Sequence, residues 1–170
     1  MDFLVRIEES GFCQWVREAD SLLAFPGILL LHTIGMGLVV GINATFDLRI
    51  LGFAPSVRLR AFQRFFPIMW MGFWINAITG TILLAVNITK LTRNPDFYVK
   101  LAFIALAVIN LQLLKGQLFG QIPTSDEAAR DETPLSTKAK ILAVTSLIFW
   151  LGAILSGRLL AYVGRSSGVF

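Results

Sequence analysis

Long apolar runs separated by short polar stretches make up most of the chain. Four of these runs are about 21 to 24 residues long, which is the length that a helix rising about 1.5 Å per residue needs to cross a hydrocarbon core of roughly 30 Å. The runs cover residues 26–46, 65–88, 97–119 and 141–163. The pattern therefore predicts an all-α integral membrane bundle of four transmembrane helices.

The first 21 residues follow a different pattern, in which apolar side chains recur at roughly helical spacing among charges. These apolar residues are Phe3, Ile7, Phe12, Trp15 and Val16. Such a stripe is typical of a helix that lies in the membrane interface. We therefore expect an N-terminal interfacial amphipathic helix over 1–21, broken at Gly11, followed by a four-helix transmembrane domain over 22–165.

Two features at the ends of the runs fit this assignment. Pro26 suits the first turn of a helix, where its missing N–H costs little. Ser136 or Thr137 can cap the start of the fourth helix by accepting a hydrogen bond from a backbone N–H. The connection over 121–138 contains acidic residues and prolines without catalytic spacing, which indicates a solvated loop.

The composition excludes several classes of function. Of the 170 residues 55% are hydrophobic and only 15% are charged, which indicates a lipid environment rather than water. The net charge of +4 is spread along the chain without interleaved exposed aromatics, so no nucleic-acid partner is expected. We find no phosphate-binding glycine loop, no nucleophilic triad and no paired carboxylates, and therefore expect no catalytic activity.

Basic residues around the spans bear on the orientation in the membrane. The connections between the first and second spans and between the third and fourth hold or adjoin Arg49, Arg58, Arg60, Arg64, Lys115, Arg130, Lys138 and Lys140. The other face has Arg6, Arg17, Lys90, Arg93, Lys100, Arg158 and Arg165. By the positive-inside rule, the small excess of basic residues at the connections predicts that these are cytoplasmic and that the termini are periplasmic, in a bacterial inner membrane.

His32, the single histidine, is the leading candidate functional residue because it lies inside the first span. Ionisable side chains at membrane depth are functional suspects, and imidazole is a common ligand of haem and of metals. Lys100, Tyr98 and Arg158 lie within about two helical turns of His32 in depth if four spans alternate in direction. The sequence therefore suggests a cofactor-binding site at these four residues, with His32 as the metal ligand.

Two interpretations of this set remain open. In the first, His32 is a single axial ligand of haem b or a hydrogen-bond donor to a quinone head, and Lys100 and Arg158 hold anionic groups. In the second, no cofactor binds, His32 bonds to a neighbouring helix and the two cations extend to the interfaces. A site with two axial histidines in one chain is excluded, since a second histidine is absent.

Small residues spaced four apart predict close helix packing, because helices in lipid associate where their backbones can approach. The pattern occurs at Gly37-x-x-x-Gly41, Gly116-x-x-x-Gly120 and Gly152-x-x-x-Ser156. We expect these positions to pack inside the bundle, with an oligomer interface as the alternative. Asp47, the acidic residue that adjoins a span, is expected to pair locally with Arg49 or Lys115.

Several short segments resemble a family of small bacterial membrane proteins known as a domain of unknown function. They are Leu31-His32-Thr33-Ile34-Gly35, Asp47-Leu48-Arg49-Ile50-Leu51-Gly52, Pro67, Thr79-Gly80, Asn94-Pro95-Asp96-Phe97, Lys100-Leu101, Asn110 and Gly157-Arg158-Leu159-Leu160-Ala161-Tyr162. The His-x-x-Gly segment is also distantly similar to the copper-resistance D membrane domain and to b561-like haem proteins. Those relatives use several histidines, so neither copper transfer nor a two-haem electron path is implied here.

The sequence thus predicts a binding module of the bacterial inner membrane, centred on His32 and associated with haem or quinone. The first alternative is a cofactor-free structural or assembly subunit, and the second is a transporter of a small solute or metal. The lipid bilayer is the expected partner, together with further copies of the chain or a larger membrane complex.

Overall fold

The computed structural model describes residues 2–53, 55–119 and 136–166, and every regular element within them is helical. The helices are α1 (Asp2–Glu8), α2 (Gly11–Glu18), α3 (Phe25–Leu51), α4 (Phe66–Val86), α5 (Ile88–Leu91), α6 (Pro95–Phe119) and α7 (Thr137–Ser166), with a 3₁₀ helix at Leu59–Phe65 before α4. Four stretches are long and apolar enough to cross a membrane: Phe25–Leu51, Ala61–Val86, Pro95–Leu118 and Thr137–Leu160. The predicted fold class, an all-α membrane bundle, is confirmed.

Helix α3 has a well-defined beginning and end. Pro26 lies in its first turn, as predicted. At the other end, Gly52 adopts a φ of 99°, the left-handed conformation that ends many helices. The Gly52 N–H bonds to the Arg49 carbonyl and the Phe53 N–H to the Leu48 carbonyl, each at 3.1 Å. This cap places the end of α3 five residues beyond the predicted boundary at Phe46.

The described residues form two compact units, those within 1–42 and 66–95 (unit 1) and those within 43–65 and 96–166 (unit 2). In unit 1 the N-terminal segment forms two helices. Gly11 begins α2, and the break predicted there falls at Glu9 and Ser10 instead. The Ser10 hydroxyl explains the new helix start, because it accepts a hydrogen bond from the Cys13 N–H at 3.4 Å.

The two short helices are attached to the end of α4. Cys13 and Val16 are buried in an apolar cluster with Ile28 and Val86. The Glu8 carboxylate accepts hydrogen bonds from the N–H and the hydroxyl of Thr89, at 3.1 and 2.5 Å. Phe3, Phe12 and Trp15 remain exposed. The segment therefore has an attached face and an exposed aromatic face, as a helix pair at a membrane surface would.

In unit 2, α6 and α7 pack closely where α7 carries a glycine. A Cβ built on Gly152 would lie 2.7 Å from Cε1 of Phe103, so a side chain there would collide with the Phe103 ring. The Ser136 hydroxyl accepts a hydrogen bond from the Ala139 N–H at 3.2 Å and caps α7, as predicted. The predicted loop over 121–138 lies mostly outside the described residues.

The close helix packing predicted at Gly37, Gly41 and Gly116 is wrong within the part of the chain that the structure describes. A Cβ built on any of the three meets no atom within 4 Å. The other three patterned positions have different outcomes: Gly152 packs as predicted, Ser156 is buried, and Gly120 lies outside the described residues.

Candidate functional site

His32 lies in unit 1 and its ring points at helix α4. Its Nδ1 is 3.1 Å from the backbone oxygen of Asn76 and 3.1 Å from Oγ1 of Thr79. A carbonyl oxygen can only accept a hydrogen bond, so the proton of the neutral imidazole belongs on Nδ1. The Thr79 hydroxyl is consistent with this assignment, because it donates to the Ile75 carbonyl at 2.6 Å.

The assigned tautomer determines the chemistry of the opposite ring nitrogen. With the proton on Nδ1, the Nε2 atom carries a lone pair and acts as an acceptor or as a ligand. The side chain is half-buried at this position. Histidines that bind metals usually donate their other ring N–H to a backbone carbonyl or a carboxylate, which fixes the orientation of the ring. The His32 environment in unit 1 has this arrangement.

A second hydrogen bond joins the same two helices in the opposite direction. The Asn76 side-chain amide donates to the backbone carbonyl of His32 at 2.8 Å. His32 and Asn76 therefore each bond to the backbone of the other residue's helix. Polar links of this kind between membrane helices are worth about 0.6 kcal/mol on average and up to about 1.7 kcal/mol.

Three glycines allow α3 and α4 to approach closely enough for these bonds. A Cβ on Gly35 would lie 2.8 Å from the backbone nitrogen of Asn76 and 2.8 Å from the carbonyl oxygen of Gly72. A Cβ on Gly72 would lie 2.8 Å from Cβ of Leu38, and one on Gly80 would lie 3.0 Å from Cε1 of His32. The imidazole thus occupies space that a side chain at Gly80 would fill.

The other three predicted site residues belong to unit 2, where each has its own surroundings. Tyr98 is 55% exposed and its ring stacks edge-on against Phe97 at 5.4 Å. Lys100 is half-buried and runs along α7, with Cε 3.5 Å and Nζ 3.6 Å from a Cβ built on Gly157. Arg158, the next residue, is exposed. The structure therefore brings Lys100 to the turn of α7 that carries Arg158, and places His32 in the other unit.

Sequence reasoning missed the partners of His32. Asn76 and Thr79 lie three residues apart on a span without charges, so their polarity was visible. Polar side chains in such a span most often face other protein rather than lipid. That signal identifies both residues as facing inward, although it does not say which residue they contact.

Asp47 has a different partner from those expected. Its Oδ2 accepts a hydrogen bond from the Asn43 amide at 2.7 Å, and the same amide nitrogen donates to Oγ of Ser146 on α7 at 2.8 Å. The expected pair with Arg49 is wrong, because Nε of Arg49 donates instead to the Val57 carbonyl. Asp47, Asn43 and Ser146 are all fully or almost fully buried in unit 2.

Comparisons with known proteins add no identification, since no family model, curated protein or solved structure matches the chain. Within 2–53, 55–119 and 136–166 there is no group of three or more His, Cys, Asp or Glu residues that could hold a metal ion. Any metal at His32 would therefore rely on ligands other than such a group.

Proposed function

We propose that this multi-pass membrane protein is a binding module in which Nε2 of His32 binds the ligand. The observation that carries the proposal is the double contact of Nδ1 with Asn76 and Thr79, which leaves the lone pair on Nε2. A lone pair at this atom suits haem iron as a single axial ligand, and it also suits the hydroxyl of a quinol. It does not suit the carbonyl of an oxidised quinone, which needs a donor.

For haem, unit 1 offers one ligand donor, the His32 imidazole. When bound, haem b would supply one-electron redox chemistry. His32 would hold the iron, while Asn76 and Thr79 would keep the ring oriented and make its Nε2 more basic through the bonds at Nδ1. The proposal rests on His32 alone, whereas Tyr98, Lys100 and Arg158 stay separate candidates for contacts with anionic groups.

An absorption spectrum of the protein purified from haem-replete cells tests this proposal. We expect a Soret band in the wild type and its loss in His32→Ala, because a sole axial ligand has no substitute. The matched control is Thr33→Ala, which changes an exposed neighbour on the same helix and should leave the band unchanged. A colourless wild type without metal by elemental analysis would contradict haem binding.

A cofactor-free structural or assembly subunit is the second candidate. It is supported by the bond from Asn76 to the His32 carbonyl and by the contact of Gly80 with the imidazole, since both are packing features that need no ligand. In that case His32→Ala lowers stability by about 1 kcal/mol, the scale of polar contacts between membrane helices, with no spectral change.

The setting of this function is also proposed. The resemblance to a small bacterial membrane family supports the bacterial inner membrane, and the basic residues of the connections support periplasmic termini. We infer that the chain has no catalytic activity of its own. We also propose that it acts with further copies of itself or within a larger membrane complex.

A further inference from the structure

The polar cluster at the end of α3 has oxygen atoms that lack donors. Asn43 uses its amide nitrogen twice, toward Oδ2 of Asp47 at 2.7 Å and toward Oγ of Ser146 at 2.8 Å. These two bonds fix the orientation of the amide, since its oxygen in that position would face the carboxylate. Oδ1 of Asn43 and Oδ1 of Asp47 are buried and have no hydrogen-bond partner in the described structure.

Buried acceptors without donors are uncommon in native proteins, and each needs an explanation such as a bound ion or water. A carboxylate in a membrane span is costlier still, because its charge must be balanced. Arg49, two residues further along α3, directs its Nε to the Val57 carbonyl. The cluster of Asp47, Asn43 and Ser146 therefore combines one carboxyl group with oxygen atoms that can accept more contacts.

We propose that Asp47, Asn43 and Ser146 bind a monovalent cation of the size of Na⁺ in unit 2. A carboxylate, an amide oxygen and a hydroxyl form an all-oxygen ligand set, which hard cations prefer. One carboxylate balances one positive charge, so a monovalent ion fits better than Ca²⁺ or Mg²⁺. This inference is independent of His32 and goes beyond the proposed function.

The cluster lies near one end of α3 and not at its centre. Asp47 is four residues before the end of the helix at Leu51, which corresponds to about 6 Å along the axis. The carboxyl group therefore lies about one helical turn from the end of the helix and away from the apolar centre of the span. Such a site suits an ion that stabilises the packing of α3 against α7 through Ser146.

Thermal unfolding of the full chain in detergent tests the site with NaCl, LiCl, KCl and choline chloride at equal ionic strength. A ligand that binds only the folded state raises Tm with its concentration until the site is saturated. We expect Na⁺ to raise Tm in this way relative to choline, with a smaller effect of K⁺. Equal Tm values in all four salts would overturn the proposal and assign the acceptors to water or to a proton on Asp47.

Variants connect the response to the cluster. Asp47→Asn keeps the shape of the side chain and should raise the half-saturating Na⁺ concentration at least about tenfold, since it removes the charge that attracts the ion. Ser146→Ala should raise it less, and Asp96→Asn, a carboxylate elsewhere in unit 2, should leave it unchanged. A Na⁺ response in Asp47→Asn equal to that of the wild type, or its loss in Asp96→Asn, would also overturn the proposal.

Discussion

At the scale of single residues, the position of one proton decides what His32 can bind. Because Asn76 offers only a carbonyl oxygen to Nδ1, the imidazole keeps its proton there and presents a lone pair on the other side. The Thr79 hydroxyl oxygen is a second acceptor for Nδ1, because the hydroxyl donates its own proton to the Ile75 carbonyl. In the proposed function, Asn76 and Thr79 thus favour a Lewis acid or a hydroxyl donor as the ligand of His32.

The contribution of Thr79 can be measured with two variants of the same chemistry. We expect Thr79→Val to lower the free energy of unfolding by about 0.6 kcal/mol, since one interhelical bond is lost while the Asn76 carbonyl still accepts. Thr81→Val is the matched control, because Thr81 is exposed and its hydroxyl donates within its own helix to the Ala77 carbonyl. An equal loss in both variants would show that the bond to His32 contributes nothing.

The residue scale is also where sequence reasoning reached its limit. His32 could be singled out because an ionisable group in an apolar span is rare. Its partners could not be predicted, because a span that is apolar on all sides has no hydrophobic periodicity to mark the face toward a neighbouring helix. The same limit explains why the predicted pairing of Asp47 with Arg49 was wrong. The observed contact of Asp47 depends on the burial of Asn43 and Ser146, whereas the prediction used only the spacing of charges.

At the scale of helices, the contact between α3 and α4 depends on glycines that have no side chain to separate the backbones. Gly35 and Gly72 lie at this contact, whereas Gly37 and Gly41, which match the small-residue pattern, do not. The pattern recognises residues that allow approach, and the positions of the neighbouring helix decide which of them are used. A step of two residues along a helix turns the side-chain direction by more than half a turn, so Gly35 and Gly37 lie on different faces of α3.

We expect Gly35→Ala and Gly37→Ala to have opposite effects on stability. At Gly35 the methyl group would meet backbone atoms at 2.8 Å and force the helices apart, at a cost of about 1 to 3 kcal/mol. At Gly37 it would meet nothing within 4 Å in the described structure, so the gain in helix propensity, about 0.8 to 1 kcal/mol, should prevail. Unfolding of both variants in a denaturing detergent series measures these changes in the free energy of unfolding.

The outcome at Gly37 also bears on oligomerisation. A loss of stability together with a smaller detergent-solubilised mass would assign this glycine to an interface between copies of the chain. A loss of stability in Gly35→Ala no larger than that in Gly37→Ala would contradict the helix contact described for unit 1.

The four spans could be predicted from sequence because length and hydropathy suffice for helices in lipid, where every backbone group must bond internally. Their ends were harder to place. The end of α3 was predicted too early, at Phe46, because charged residues such as Asp47 and Arg49 usually lie outside a membrane span. Both side chains are in fact buried. Gly52 was the better signal, since it holds the left-handed cap.

At the scale of the whole molecule, an even number of spans places the two termini on the same side of the membrane. We expect reporter fusions to give phosphatase activity at both termini and none in the connection over 52–58, because the basic residues favour a cytoplasmic connection. Phosphatase activity in that connection would reverse the orientation. Termini on opposite sides would contradict the four-span arrangement.

The attachment of the N-terminal helices has a consequence for how the protein is made. Glu8 bonds to Thr89, which is 81 residues later in the chain. The ribosome must therefore synthesise α3, α4 and the start of α5 before the Glu8 side chain has its partner. Their exposed aromatic residues suit the lipid interface, so the docking of α1 and α2 in unit 1 comes later than their own synthesis.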